Sequence, residues 1–183
     1  EEKINNIYPF LSNKLPDNIE FVTSQELEDI YPHYSSKDRE NLICKKHKAV
    51  FLMKIGGILN SGIPHDKRAP DYDDWELNGD ILFWNPVLEE AMELSSMGIR
   101  VDKDSLLQQM KREKIEEKIE EKMALPYYRM LIEDKLPATI GGGIGQSRIC
   151  MYFLEKEHIG QVQASVWTEE IIQECRENNI FLL

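Results

Sequence analysis

Apolar residues along this chain fall into short blocks separated by turn-forming clusters, and the period within each block assigns it to a helix or a strand. After the turn cluster Pro16-Asp17-Asn18, residues 19–23 predict a strand, and Ser24 is a candidate N-cap for a helix through Ile30 that Pro32 halts. Ser35 followed by Asp38 predicts the start of a second helix reaching about Lys48, where the apolar run 49–53 takes over as a buried strand. Residues 56–79 are rich in Gly, Pro, Asn and Asp and predict a long loop of the kind that usually carries function. Strands are predicted over 80–85 and 87–94, with a third short one at 99–101. Asp102 caps a long helical stretch in which Leu106, Met110, Ile115, Ile119 and Met123 recur at mostly four-residue steps. Pro126 breaks it before a shorter helix ending near Lys135. A glycine turn at 141–145 then leads into an apolar helix over 149–154, a strand near Val162 and a last helix capped by Thr168. Taken alone, this is local α/β alternation with no internal repeat.

Composition narrows the class. A chain of 183 residues, 42% hydrophobic and 30% charged, has the make-up of one globular domain with a substantial core. Its longest apolar runs fall far short of the ~18 to 20 residues of a membrane span, and no stretch has the layout of a signal peptide, so a cytoplasmic location without membrane contact is expected. With 33 acidic and 22 basic side chains, the net charge of −11 repels phosphate backbones, and nucleic acid is not an expected partner. Cys44, Cys150 and Cys175 share no short spacing and read as reduced thiols rather than zinc ligands. The charged run 111–122 sets like charges four apart and opposite charges three apart, the mark of a solvated helix face.

Three constellations carry chemistry. The run Gly141-Gly142-Gly143-Ile144-Gly145-Gln146-Ser147-Arg148 allows a backbone to approach a flat or charged ligand and adds an arginine fork in the first turn of the following helix, although close helix packing would also account for the glycines. It fits neither a P-loop nor a dinucleotide fingerprint. Asp80 and the run from Glu93 to Arg100 form the second. In unbroken extended chain Glu93 and Arg100 face opposite ways, so the Ser95-Ser96-Met97-Gly98 stretch is expected to hold a turn or bulge that re-aims the arginine. Two carboxylates near a polyphosphate require a divalent cation between them; the alternative is a turn cap and surface ions. The third, from Arg68 to Trp75, combines acids and aromatics that suit a cation or amino group, or simply a solvated acidic loop. His65 and His158 have no partner at recognisable spacing and receive no role.

The segments 68–75, 77–82, 84–89, 93–102, 140–148 and 158–163 together closely resemble ammonia-dependent asparagine synthetase, the aspartate:ammonia ligase. Through that family they resemble the catalytic core of class II aminoacyl-tRNA synthetases, with Gly143 to Arg148 similar to the third class II motif, although Gln146-Ser147 stands where those enzymes often carry Ile-Asp. The resemblance implies an α+β fold, an antiparallel sheet flanked by helices, in a homodimer. It also implies synthesis of asparagine from L-aspartate, ammonia and ATP through a β-aspartyl adenylate, with AMP and pyrophosphate released. On this reading Asp73, Ser95, Ser96 and Arg100 bind aspartate, and Asp80, Ile81, Glu93, Leu94, Gly143, Gly145 and Arg148 bind ATP. Asp80 and Glu93 hold Mg²⁺, and Asp73, Arg100 and Arg148 are the catalytic set. The family's chain is nearly twice as long, so residues 1–183 are expected to be the C-terminal portion of one catalytic domain whose upstream portion carries the first two class II motifs. The loop between Trp75 and Leu77 is shorter than in family members, and the stretch between Asp102 and Thr139 differs in sequence. Two alternatives remain: a fragment of an aspartyl- or asparaginyl-tRNA synthetase, opposed by the negative charge, and a non-catalytic paralogue, opposed by the joint presence of Asp80, Glu93, Arg100 and Arg148.

Overall fold

The computed structural model describes residues 1–11, 15–114 and 116–183. A short helix α1 (Glu2–Ile7) precedes strand β1 (Glu20–Thr23), helices α2 (Ser24–Ile30) and α3 (Ser36–His47), and strand β2 (Ala49–Met53). Two long strands, β3 (Asp73–Asn85) and β4 (Glu90–Arg100), form a hairpin; helices α4 (Lys103–Arg112), α5 (Ile119–Lys122) and α6 (Pro126–Ile132) then lead to β5 (Ile140–Ile144), α7 (Gln146–Phe153) and α8 (Glu169–Glu177). The five strands form one sheet in sequence order. The first pair is parallel, because α2 and α3 form the crossover between them, and the other three pairs are antiparallel. The expected α+β fold with an antiparallel sheet flanked by helices is thus found, with one parallel pair at the β1 edge.

Cores form on both sides of the sheet. On one, Val50, Leu52, Leu82 and Ala91 meet Leu27, Ile43 and Cys44 from α2 and α3. Burial there pushes the Cys44 thiol up to about 12, with Glu40 adding to the effect, so it is an inert core group. On the other, Met92 and Leu94 meet Met151, Tyr152 and Phe153 of α7. A third core, built from Val101, Leu106, Met110, Tyr128 and Leu131, holds the helices between β4 and β5 together.

Several expectations are corrected. The N-cap of α2 is Thr23, whose hydroxyl accepts from the Glu26 amide, while the Ser24 hydroxyl donates to the Lys54 carbonyl at 2.6 Å. The expected loop 56–79 ends early, since β3 begins at Asp73, and residues 87–89 form a turn rather than the start of a strand. The segment 99–101 is not separate, because β4 runs unbroken to Arg100. The long helix stops at Arg112 and resumes as a 3₁₀ turn and the short α5; Ile115 of the expected stripe lies outside the described residues. Glycines 141–143 lie in strand β5 rather than in a turn, and a 3₁₀ turn at Ile159–Gln161 occupies the place of the strand expected near Val162.

Candidate active site

One irregularity in β4 organises the site. Ile81 pairs with Ser95 while its neighbour Leu82 pairs with Glu93, so Leu94 is an extra residue, a bulge. The break expected within Ser95–Gly98 is instead a bulge one position earlier, and the strand continues through it. By inserting one residue it changes the phase of the side chains, and Glu93, Ser96, Gly98 and Arg100 come to share one face of the sheet. Asp80, cross-strand partner of Ser96, lies on that same face.

This face floors a cleft of about 680 Å³, lined among others by Tyr72, Asp73, Glu93, Ser96, Arg100, Gly141, Gly143, Gly145 and Arg148. Glu93 and Arg148 also border a second cavity of about 420 Å³ that contains Asp80, Arg68 and His65. The two cavities form neighbouring halves of one polar groove.

At the first end, the Arg100 guanidinium is fixed from three directions. It pairs with the buried Asp73 carboxylate, donates to the Tyr72 hydroxyl at 3.0 Å and lies 3.9 Å over the Tyr72 ring. Below it passes the backbone of Gly141, where a Cβ would fall 2.0 Å from an Arg100 nitrogen. Segment 70–75, which carries Tyr72 and Asp73, is itself held by the buried Gln109 of α4. Its amide nitrogen donates to the carbonyls of Pro70 at 3.0 Å and Asp73 at 3.2 Å, and its carbonyl accepts from the Trp75 amide at 2.8 Å.

At the second end, α7 starts directly after β5 and delivers Arg148 to the groove. Its guanidinium donates to the Glu93 carbonyl at 2.9 Å and stands 3.5 Å from the Glu93 carboxylate. The Asp80 carboxylate accepts from Arg68, which also lies 3.3 Å from Asp66. His65 donates its Nε2 hydrogen to Glu40 at 2.9 Å and is buried behind this wall.

Of the residues singled out in the sequence, Asp73, Ser96, Arg100, Glu93, Leu94, Gly143, Gly145 and Arg148 line the first cleft, and Asp80 lines the second. Ser95 and Ile81 are not brought to this face. They pair with each other across β3 and β4 and border an apolar cavity on the opposite side of the sheet, where the Ser95 hydroxyl donates to the Gly143 carbonyl at 2.9 Å. Gln109 escaped the sequence reading; the signal was a polar residue on the buried stripe of α4 between Leu106 and Met110. Arg68 was visible only as part of a loop, since its pairing with Asp80 is a tertiary contact.

The oxygen donors Asp80 and Glu93 lie on adjacent strands and one face, each beside an arginine, and among the described residues no group of three or more His, Cys, Asp or Glu could hold a metal ion without further ligands. Arg100 and Arg148 supply fixed positive forks at the two ends of the groove. Such an arrangement can hold a small carboxylate at one end and a polyphosphate at the other.

Residues 1–179 match the family model described as aspartate-ammonia ligase. The aspartate–ammonia ligase of Clostridium tetani (strain Massachusetts / E88) is 61% identical over 183 residues, which is 100% of this chain and 52% of that protein. That of Clostridium perfringens (strain SM101 / Type A) is 60% identical over the same length, 53% of its own. The chain thus spans about half the length of these relatives. Among solved structures, Entamoeba histolytica asparaginyl-tRNA synthetase in complex with asparaginyl-adenylate is similar at a TM-score of 0.56 and 20% identity, over 88% of this chain and 37% of that one. Asparaginyl-tRNA synthetase from Pyrococcus horikoshii reaches 0.55 at 18% identity, over 85% and 39%. At such identities the likeness is one of fold.

Proposed function

Because the chain belongs to the aspartate–ammonia ligase family, we propose that the whole protein makes asparagine from aspartate, ammonia and ATP, and that the groove described above is this chain's share of the active site. A carboxylate is a poor electrophile, so it must first acquire a leaving group. Adenylation of the aspartate side chain supplies one: the carboxylate oxygen attacks the α-phosphorus of ATP, the bond to the β-phosphate oxygen breaks, and pyrophosphate departs. Ammonia then adds to the acyl carbon of the β-aspartyl adenylate, loses a proton and expels AMP.

In this reading Arg100 clamps the side-chain carboxylate of aspartate, Asp73 receives its ammonium group or orients ammonia, and Ser96 lines the pocket. Arg148 holds the triphosphate and offsets the charge that develops on pyrophosphate. Asp80 and Glu93 would hold Mg²⁺, which when bound neutralises phosphate charge. Ile81 and Ser95 would contribute through backbone, since their side chains face the other way. The observation that carries the proposal is the two-ended groove: Arg100 fixed by Asp73 and Tyr72 at one end, and Arg148 beside Glu93 at the other.

The test is to assay the full-length protein with aspartate, ATP and ammonium and to identify the nucleotide product. AMP with pyrophosphate is expected, and ADP with phosphate would eliminate adenylation. Variants then separate the two ends. Arg100→Lys keeps the charge but loses the planar fork, and should weaken aspartate by roughly 2 to 4 kcal/mol with nucleotide binding intact. Arg148→Lys should show the reverse. Calorimetry with each ligand separately checks both, and equal loss of ATP in the two variants would remove Arg100 from the aspartate pocket.

A further inference from the structure

Arg100 is positioned by Tyr72 and Asp73, so whatever fixes these two residues also sets the amino-acid end of the groove. Their backbone is tied to Gln109, and one further contact reaches them from outside the sheet. The Asp71 carboxylate accepts from the Lys122 ammonium at 2.6 Å and from the Tyr128 hydroxyl, while the Tyr127 hydroxyl donates to the Asp71 carbonyl at 3.3 Å. Lys122 also donates to the Tyr128 hydroxyl and lies 4.5 Å over that ring, which closes a three-membered network. Partial burial opposes ionisation of Asp71, yet the bonds from Lys122 and Tyr128 outweigh it and hold the carboxyl below its usual range.

Lys122 ends α5 and Tyr128 lies in α6, both within the helical connection between β4 and β5. We propose that Lys122 and Tyr128 are positioning residues that hold Asp71, and with it Tyr72 and Asp73, so that this connection sets how firmly Arg100 is presented to aspartate. This rests on the reading of the groove given above.

The lysine and the aspartate side chains are 27% and 22% exposed, and a pair so placed contributes only about 1 kcal/mol or less to stability. Its consequence should therefore be geometric: a displacement of about 1 Å in a binding constellation costs up to roughly a hundredfold, far more than the pair contributes to folding.

The experiment uses the full-length protein. Lys122→Met and Tyr128→Phe are compared with Lys122→Arg, which retains charge and donors. Calorimetry measures L-aspartate and a non-hydrolysable ATP analogue separately, with the melting temperature recorded for each variant. Lys122→Met is expected to weaken aspartate by about tenfold or more, leave the nucleotide within about twofold, and melt close to wild type, with Lys122→Arg recovering most of the loss. Unchanged aspartate affinity in Lys122→Met overturns the positioning role. So does a parallel loss of both ligands with a lowered melting temperature, because that is what a merely structural pair would produce. Wild-type protein that binds no aspartate would instead overturn the proposed function, and this inference with it.

Discussion

A single missing methyl group at Gly141 decides where Arg100 can lie. A Cβ there would stand 2.0 Å from one guanidinium nitrogen and 2.6 Å from Cζ, whereas Gly143 faces open space and a Cβ at Gly145 would meet only ordinary contacts. Among these glycines, Gly141 is thus the one whose lack of a side chain the site requires. The clashing atoms belong to the end of a long side chain, so Arg100 would swing aside and leave the buried Asp73 carboxylate without its partner. Gly141→Ala is expected to reduce aspartate affinity by about tenfold or more and to lower the melting temperature; calorimetry and a thermal melt check the two together. Retained affinity would mean that Arg100 has another productive rotamer. At this scale the sequence showed which residue types gather but not their facing. Arg100, Glu93 and Arg148 were legible as chemistry, because arginine forks and carboxylates stand out against a glycine-rich background. Ser95 and Ser96 could not be told apart: a break was legible within 95–98, but the bulge that sets their phase sits one position earlier, at Leu94.

Elements were legible where a cap or a strong period marked them. Ser35, Asp102 and Thr168 each cap a helix, with side-chain oxygens accepting from Asp38, Ser105 and Ile171. The hairpin strands were not legible in full length, because Asp73–Asn85 mixes acids, Asn and Gly with apolar residues and reads as loop until the partner strand is in place. Nor was the pairing of α2 with α3, which depends on an ion pair between Glu28 and Arg39 at 3.1 Å with both side chains 6% exposed. Arg39 also donates to the Tyr31 carbonyl at 3.0 Å, and Glu28 accepts from the Ser61 hydroxyl and amide, so neither charge is left uncompensated. Removing one partner strands the other. Arg39→Met is expected to cost about 3 kcal/mol, read as a lowered urea midpoint. The pair also sets a pH dependence. Burial raises the Glu28 carboxyl, but hydrogen bonds from Ser61, Gln25 and Arg39 together hold it below its usual range. A carboxyl that titrates lower in the folded state contributes its full stabilisation above the unfolded value and loses it as pH falls through the folded one. Urea midpoints measured from about pH 7 down to about pH 3 should therefore decline, and in Glu28→Gln the decline should be shallower although the neutral-pH stability starts lower.

On the scale of the whole molecule, the sheet is furnished unequally. A compact protein of 21.4 kDa exposes about 9,100 Å² by the usual scaling, whereas this chain exposes 11649 Å². Part of the exposed surface is apolar and lies on the side of the sheet opposite the groove. There Phe21, Ile140 and Ile144 are 60%, 73% and 65% exposed, and Ile81, Phe83 and Met97 border a cavity of about 560 Å³ with scarcely a polar atom in its wall. Contiguous exposed apolar surface of this kind usually marks a contact with another segment or chain. The relatives it matches are about twice as long, and the proposed occupant is the remainder of such a longer chain, packed on β3, β4 and β5. Residues 1–179 alone match the family model, yet on this view they form half of a machine. Expressed by itself, the segment 1–183 should bind a hydrophobic dye strongly, self-associate in sedimentation experiments and make no asparagine. The full-length protein should bind little dye and be active. Replacing Ile140 and Ile144 with threonine, which keeps β-branching on an edge strand, should lower dye binding and self-association of the segment, and in the full-length protein should lower stability instead. Appreciable asparagine synthesis by the segment alone would show that the groove needs no second half, and a dye signal unchanged by the Ile140→Thr and Ile144→Thr pair would move the sticky surface elsewhere.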